Sequence, residues 1–143
     1  MDSVYLCMSS ESPYAHGVTH DFTETLPKTF WINPNQWEIS LQNMTLIQDE
    51  ITSLTPRMIT VCCDIVNSSI IHGMEAQVLR RLVNTDINHM HWDSDQLYYM
   101  PVVTSPLTSL RLYLLDEKGA PLKVSADSVM YYTLHLRKRN TLL

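Results

Sequence analysis

Apolar and polar residues alternate over much of this chain, most clearly in its last third. Leu110, Leu112 and Leu114 fall on one side of a strand, with Arg111 and Tyr113 on the other. Tyr132, Leu134 and Leu136 alternate in the same way with Thr133, His135 and Arg137. A period of two marks a half-buried antiparallel strand, because successive side chains point to opposite faces. Between the two runs lies Asp116-Glu117-Lys118-Gly119-Ala120-Pro121, the strongest turn signal in the sequence. Glycine supplies a positive φ at low steric cost, and proline fixes φ after it. The pattern predicts a hairpin of residues 110–115 and 129–138, around which the rest of the chain is organised.

Upstream, Val4 to Ser9 reads as a first strand, and Ser10 to His20 as a polar loop with Pro13 and Gly17. Asp21 to Leu26 alternates until Pro27, which is expected to stop it. Phe30-Trp31-Ile32 is a short apolar run closed by the turn Asn33-Pro34-Asn35. Trp37 to Met44 alternates, with Trp37, Ile39 and Leu41 on the buried side. Thr45 to Leu54 is mixed and reads as a loop or a short helical turn. Arg57 to Val66 is dense in β-branched residues, as in a strand buried on both faces. Asn67-Ser68-Ser69 interrupts it before Ile70-Ile71. Residues 74–83 fit a helix or a strand; ten residues between strands favour a strand. Thr85 to Asp95 is polar, and Gln96 to Val103 is a strand that Pro101 places at an edge.

These elements amount to about eight short strands with no βαβ alternation. The economical solution is an all-β, antiparallel β-sandwich of the single jelly-roll type. An immunoglobulin-like sandwich lacks its Cys-Trp-Cys framework here. The expected core includes Trp37, Ile39, Leu41, Leu112, Leu114, Leu134 and Leu136.

Composition fits that picture. The chain has 143 residues, 45% hydrophobic and 17% charged, enough apolar content to fill the core of one domain spanning 1–143. The charged fraction is below the roughly 25% average, which suits a surface that lies against other protein. A net charge of −5 argues against nucleic acid as a direct partner, since phosphate binding needs clustered Lys and Arg. The chain opens directly into a strand, without a basic region or an apolar run of signal-peptide length. No run approaches the ~20 apolar residues that span a bilayer. Cys7, Cys62 and Cys63 are few and odd in number, as in a reducing compartment, and each reads as a small buried hydrophobe. The adjacent pair Cys62 and Cys63 points to opposite faces of its strand and cannot close an ordinary disulfide.

Candidate chemistry is sparse. Gly17, Gly73 and Gly119 are too scattered for a phosphate loop, and there is no nucleophile elbow. His89 and His91 share a face if extended and lie near Asp93 and Asp95, a weak metal-ligand pattern. The plainer reading is a polar loop or edge; neither a metal nor any other cofactor is expected. Asp64, inside an apolar strand, needs a partner or an edge, and Arg111 or Arg80 would serve. His135 reads as an outward-facing partner of a cross-strand neighbour. Trp92, with Tyr98 nearby, reads as an anchor for a partner protein or as rim packing. Arg137, Lys138 and Arg139 lead into Asn140-Thr141-Leu142-Leu143, a short basic tail (137–143) with an apolar tip. It is a candidate contact with a neighbouring subunit, or a solvated terminus.

Several stretches also carry a family likeness. They are Phe22-Thr23-x-x-Leu26-Pro27, Trp37-Glu38-Ile39-Ser40-Leu41, Cys63-Asp64-Ile65-Val66 through Ile70-Ile71-His72-Gly73 to Leu79-Arg80, and Leu110-Arg111-Leu112-Tyr113 through Asp116-Glu117-Lys118-Gly119-Ala120-Pro121 to Leu134-His135-Leu136-Arg137. In this order they resemble a protein encoded by Polinton/Maverick elements and adintovirus-like relatives, large DNA elements that carry genes for virus particles. The chain departs from that pattern at Met44-Thr45-Leu46-Ile47, where a proline is usual, and at Leu122 and Val124, in place of an aromatic residue. The resemblance implies a virion protein, made in the host cytoplasm or nucleus, without enzymatic activity. It would be a penton-type, minor capsid or decorating subunit that associates with itself and with other capsid proteins. A fibre-head-like module binding a receptor or glycan is the alternative, and a hydrolase using His89 and His91 a remote third.

Overall fold

The computed structural model describes residues 2–47, 58–71, 73–83, 90–94 and 96–139. They form strands β1 (Ser3–Ser9), β2 (Ala15–Val18), β3 (Asp21–Phe30), β4 (Trp37–Ile47), β5 (Met58–Cys63), β6 (Ser69–Ile71), β7 (Met74–Ala76), β8 (Val78–Val83), β9 (Met90–Asp93), β10 (Met100–Pro101), β11 (Leu107–Leu115) and β12 (Val129–Lys138). Among the described residues there is no helix, so none is long and apolar enough to cross a membrane.

Two antiparallel sheets carry the fold. One runs β1-β12-β4, with β9 and β10 both on the far edge of β4; the other runs β2-β3-β11-β5-β8. The pairs β1·β12, β3·β11, β4·β9/β10 and β5·β8 show the logic. The chain is one long hairpin whose successive pairs go alternately to the two sheets. Pairing of β12 with β4 and of β11 with β5 then knits each sheet together. This is the single jelly roll, an eight-strand β-sandwich. The strand total is higher than eight because β9 and β10 are one interrupted edge and β2, β6 and β7 are additions.

The 110–138 region is therefore not a hairpin. Both strands form, but β11 belongs to one sheet and β12 to the other. The Gly119 turn folds back on β11 itself, where Leu115 bridges Pro121, and the chain then crosses between sheets. Alternation alone specifies which face of each strand is buried, not which strand lies beside it.

Other bounds shift for local reasons. Strand β2 forms within the expected loop, pairing with β3 through Gly17↔Phe22. Gly17 has φ 132°, and a Cβ there would collide with the Asp21 backbone, so only glycine fits. Pro27 does not stop β3, which continues to Phe30. Between the pairs Ser109↔Thr25 and Leu107↔Phe30 the register shifts, and Pro27 sits in that irregularity, where no ladder bond is lost. Strand β4 continues to Ile47 with a bulge, since Leu134↔Leu41 is followed by Thr133↔Asn43. The extra residue flips the pleat. Ile39 and Leu41 are buried before it, Met44 and Leu46 after it. Residues 74–83 are strand, broken only at Gln77. The polar stretch 85–95 contains β9, whereas the 96–103 strand shrinks to β10 at the predicted edge.

The core lies between the sheets. It includes Phe22, Ile39, Leu41, Val61, Cys63, Leu110, Leu112, Leu114, Met130, Tyr132, Leu134 and Leu136. Trp37 is only half-buried at its margin, because it starts β4 at the open end of the sandwich. Strand β5 is buried on both faces, as its sequence predicts. Its outer face is covered by the β6–β7 hairpin, where Ala76 packs with Cys62 and Leu115. Burial pushes the thiols of Cys62 and Cys63 up to about 12. Cys7 is the exception to the expected burial: it is exposed on the outer face of β1.

Candidate interaction surface

The sandwich has two ends. One gathers the β3–β4, β5–β8 and β10–β11 connections with the start of β1 and the end of β12. The other gathers the β1–β2 and β11–β12 connections. The basic run predicted as a tail lies at the first end, and it is built into the fold. Arg137 and Lys138 are strand residues, paired with Glu38 and Trp37. The Lys138 amide donates to the Asp2 carbonyl at 2.8 Å, and the Arg139 amide to the Gln36 carbonyl at 2.7 Å. Glu38 answers both guanidinium groups. Its Oε2 accepts from Arg137 Nε at 2.9 Å and Nη2 at 2.8 Å, and its Oε1 lies 3.7 Å from Arg139 Nε. The positive run is thus met by this chain's own carboxylate. Leu142 and Leu143 lie outside the described residues.

From Arg137 a row of side chains crosses the outer face of the first sheet. The Arg137 guanidinium lies 3.4 Å from the centroid of the Tyr99 ring. The Tyr99 hydroxyl shares a 2.7 Å hydrogen bond with His135 Nδ1, and the His135 ring stacks on Tyr5 at 4.4 Å. Tyr5 and His135 are register partners on β1 and β12, so His135 is the cross-strand partner its position suggested. Partial burial holds the His135 imidazolium below its ordinary range, and the Arg137 charge adds to this.

The other edge holds the aromatic candidates. From Asp93 to Met100 the edge chain advances seven positions while β4 advances only four, from Asn43 to Ile39, so the described residues 96–99 bow out from the edge. Arg80 of β8, in the opposite sheet, reaches this bow. Its guanidinium lies 4.8 Å from the Trp92 ring centroid and 4.3 Å from that of Tyr98, and Nη1 donates to the Gln96 carbonyl at 3.0 Å. Cation–π contacts of this kind contribute about 0.5–1 kcal/mol at exposed sites. Trp92 is half-buried and packs against the rim of the core, and Tyr98 is exposed.

His91 stands on the outer face of β9. One ring nitrogen lies 2.7 Å from Thr45 Oγ1 and the other 2.8 Å from Asp93 Oδ2, which occupies both. Among the described residues no group of three or more His, Cys, Asp or Glu is placed to hold a metal; His89 and Asp95 lie outside them. Asp64 finds Arg111, but through the main chain: Oδ1 accepts from the Arg111 amide at 3.0 Å. The Arg111 guanidinium instead grips both oxygens of Asp21, at 2.9 and 2.8 Å.

The surface also shows residues not singled out by sequence. Trp31 is 80% exposed at the first end, and Ile70 is 69% exposed on the β6–β7 hairpin. The signal for Trp31 was present, since Ile32 is buried and Phe30 half-buried, and alternation between them turns Trp31 outward. At the second end a groove of about 580 Å³ lies between residues 10–20 and 124–129, with Glu11, His20 and Asp127 in its wall. No protein-family model and no curated protein matches this sequence.

Proposed function

We propose that this protein is a non-enzymatic structural subunit of a virus or virus-derived element, a penton-type, minor capsid or decorating protein that self-assembles. The observation that carries the reading is the alternating hairpin wound into a single jelly roll. Viral capsid domains are a principal use of that fold, although fold alone does not fix function. The resemblance to Polinton/Maverick and adintovirus-like proteins points the same way. The surface is compatible with it: Trp31, Ile70 and Tyr98 present large apolar area to solvent, which a partner subunit would cover.

The groove at the second end favours a second reading, a receptor- or glycan-binding module, because lectin domains share the architecture. Electron microscopy of the purified protein separates the two. Pentameric rings or larger shells are expected from a capsid subunit. Isolated trimers would favour the recognition module, and a uniform field of single domains would reject the assembly reading.

A further inference from the structure

The two sheets have four edges, and three of them carry features that oppose strand addition. Strand β2 has four residues and contains Gly17. Strand β8 carries Arg80 and Arg81. The β9/β10 edge is interrupted and holds Asp93 and Pro101. Charge, proline, shortness and irregularity are the usual protections of a sheet edge. Strand β1 has none of them. Its seven residues, Ser-Val-Tyr-Leu-Cys-Met-Ser, include no charge, proline or glycine, and they pair with β12 without a register break.

The direction of its backbone groups follows from its ends. Lys138 N donates to Asp2 O, and Ser10 N donates to Met130 O, so even-numbered residues turn their groups toward β12. The odd-numbered ones turn theirs away. At Ser9 the outward amide is occupied by Glu24 Oε1 at 3.3 Å. Ser3, Tyr5 and Cys7 remain, all exposed, with Tyr5 61% accessible, and their outward amides and carbonyls have no partner among the described residues.

We propose that β1 pairs antiparallel with β1 of a second copy about a two-fold axis at Tyr5, joining the two β1-containing sheets into one. The strand is complementary to itself in that register. Ser3 faces Cys7 of the second copy, so small residues flank the paired tyrosines on both sides. Val4 faces Leu6 of the second copy; both are half-buried at the margin of the core, and the pairing extends it. A register moved toward Ser9 would displace Glu24. An isologous contact of this kind joins copies two at a time, and within a larger shell it links neighbouring subunits across a two-fold axis. The inference rests on the reading that copies associate, and it names the strand that joins them.

Cys7→Pro is the test. The Cys7 amide has no partner among the described residues, so proline removes only an outward donor, at the edge position where it is tolerated. The expected result is a folded variant with unchanged far-ultraviolet circular dichroism that loses the wild-type association in sedimentation. Ser3→Cys supplies an independent measure. Opposed residues in a hydrogen-bonded antiparallel pair lie about 5.5 Å apart at Cα, within disulfide range. Mild oxidation should therefore convert most of that variant to covalent dimer through native Cys7. Wild type should give none, because its two Cys7 residues stand about 13 Å apart along the strands. If wild type associates while Cys7→Pro does so equally, or Ser3→Cys cross-links no better than wild type, the β1 contact is wrong and assembly uses another surface. If wild type is itself a monomer, the contact and the assembly reading both fall.

Discussion

The rings of Phe22 and Tyr132 meet between the two sheets, their centroids 5.9 Å apart and both side chains almost wholly buried. Phe22 comes from β3 and Tyr132 from β12, so the contact ties together residues 110 positions apart in the chain. The Tyr132 hydroxyl is buried with no hydrogen-bond partner among the described residues. Burial also raises its pKa well above the ordinary phenol value, so it stays neutral. A buried unpaired hydroxyl costs about 1–3 kcal/mol. Tyr132→Phe should raise stability by about that amount, seen as a higher denaturant midpoint with unchanged slope. A loss of stability would mean that the hydroxyl has a partner.

Leu134 is completely buried opposite Leu41, beside the bulge of β4. Leu134→Ala should cost roughly 2–5 kcal/mol, the range for a buried leucine that leaves a cavity. A change below about 0.5 kcal/mol, the scale of surface substitutions, would contradict the assignment of the inner face of β12.

Asp21 and Arg111 form a two-pronged pair that joins β3 to β11. The Arg111 guanidinium holds the Asp21 carboxyl below its usual range. Because the folded pKa is depressed, the stabilisation is complete above the unfolded value of about 3.9 and disappears as pH falls through the folded one. The groups are partly solvated, so Asp21→Asn should cost only about 0.5–1 kcal/mol at neutral pH. The difference from wild type should close as pH falls through the depressed folded value. A cost that persists unchanged in acid would assign it to shape, not charge.

The three thiols should separate by reactivity. Cys7 is exposed, whereas Cys62 and Cys63 are buried and their pKa values are pushed up to about 12. The thiolate is the reactive form. Titration of the folded protein with an aromatic disulfide should show one fast equivalent, lost in Cys7→Ser, and two more only on unfolding. Two or three fast equivalents would contradict the packing of β5.

Alternation along the strands identified the buried faces of β11, β12 and the first half of β4, because burial on one side of a sheet imposes a period of two. It could not show that β11 and β12 separate into different sheets, since strand partners are chosen by long-range packing. The bulge in β4 was equally hidden: Met44 and Leu46 break the parity set by Ile39 and Leu41, and only the pairing with β12 explains it. On the surface, aromatic and basic residues were legible as candidates, but not their partners. Arg80 was a possible match for Asp64, yet it lies between Trp92 and Tyr98. The basic run at 137–139 suggested a free tail, and Glu38, a hundred residues away in sequence, holds it.

If the jelly roll binds copies of itself, as proposed, native mass spectrometry across a dilution series should find a discrete oligomer at micromolar concentration that survives moderate dilution. A single species of 16.5 kDa at every concentration would contradict it.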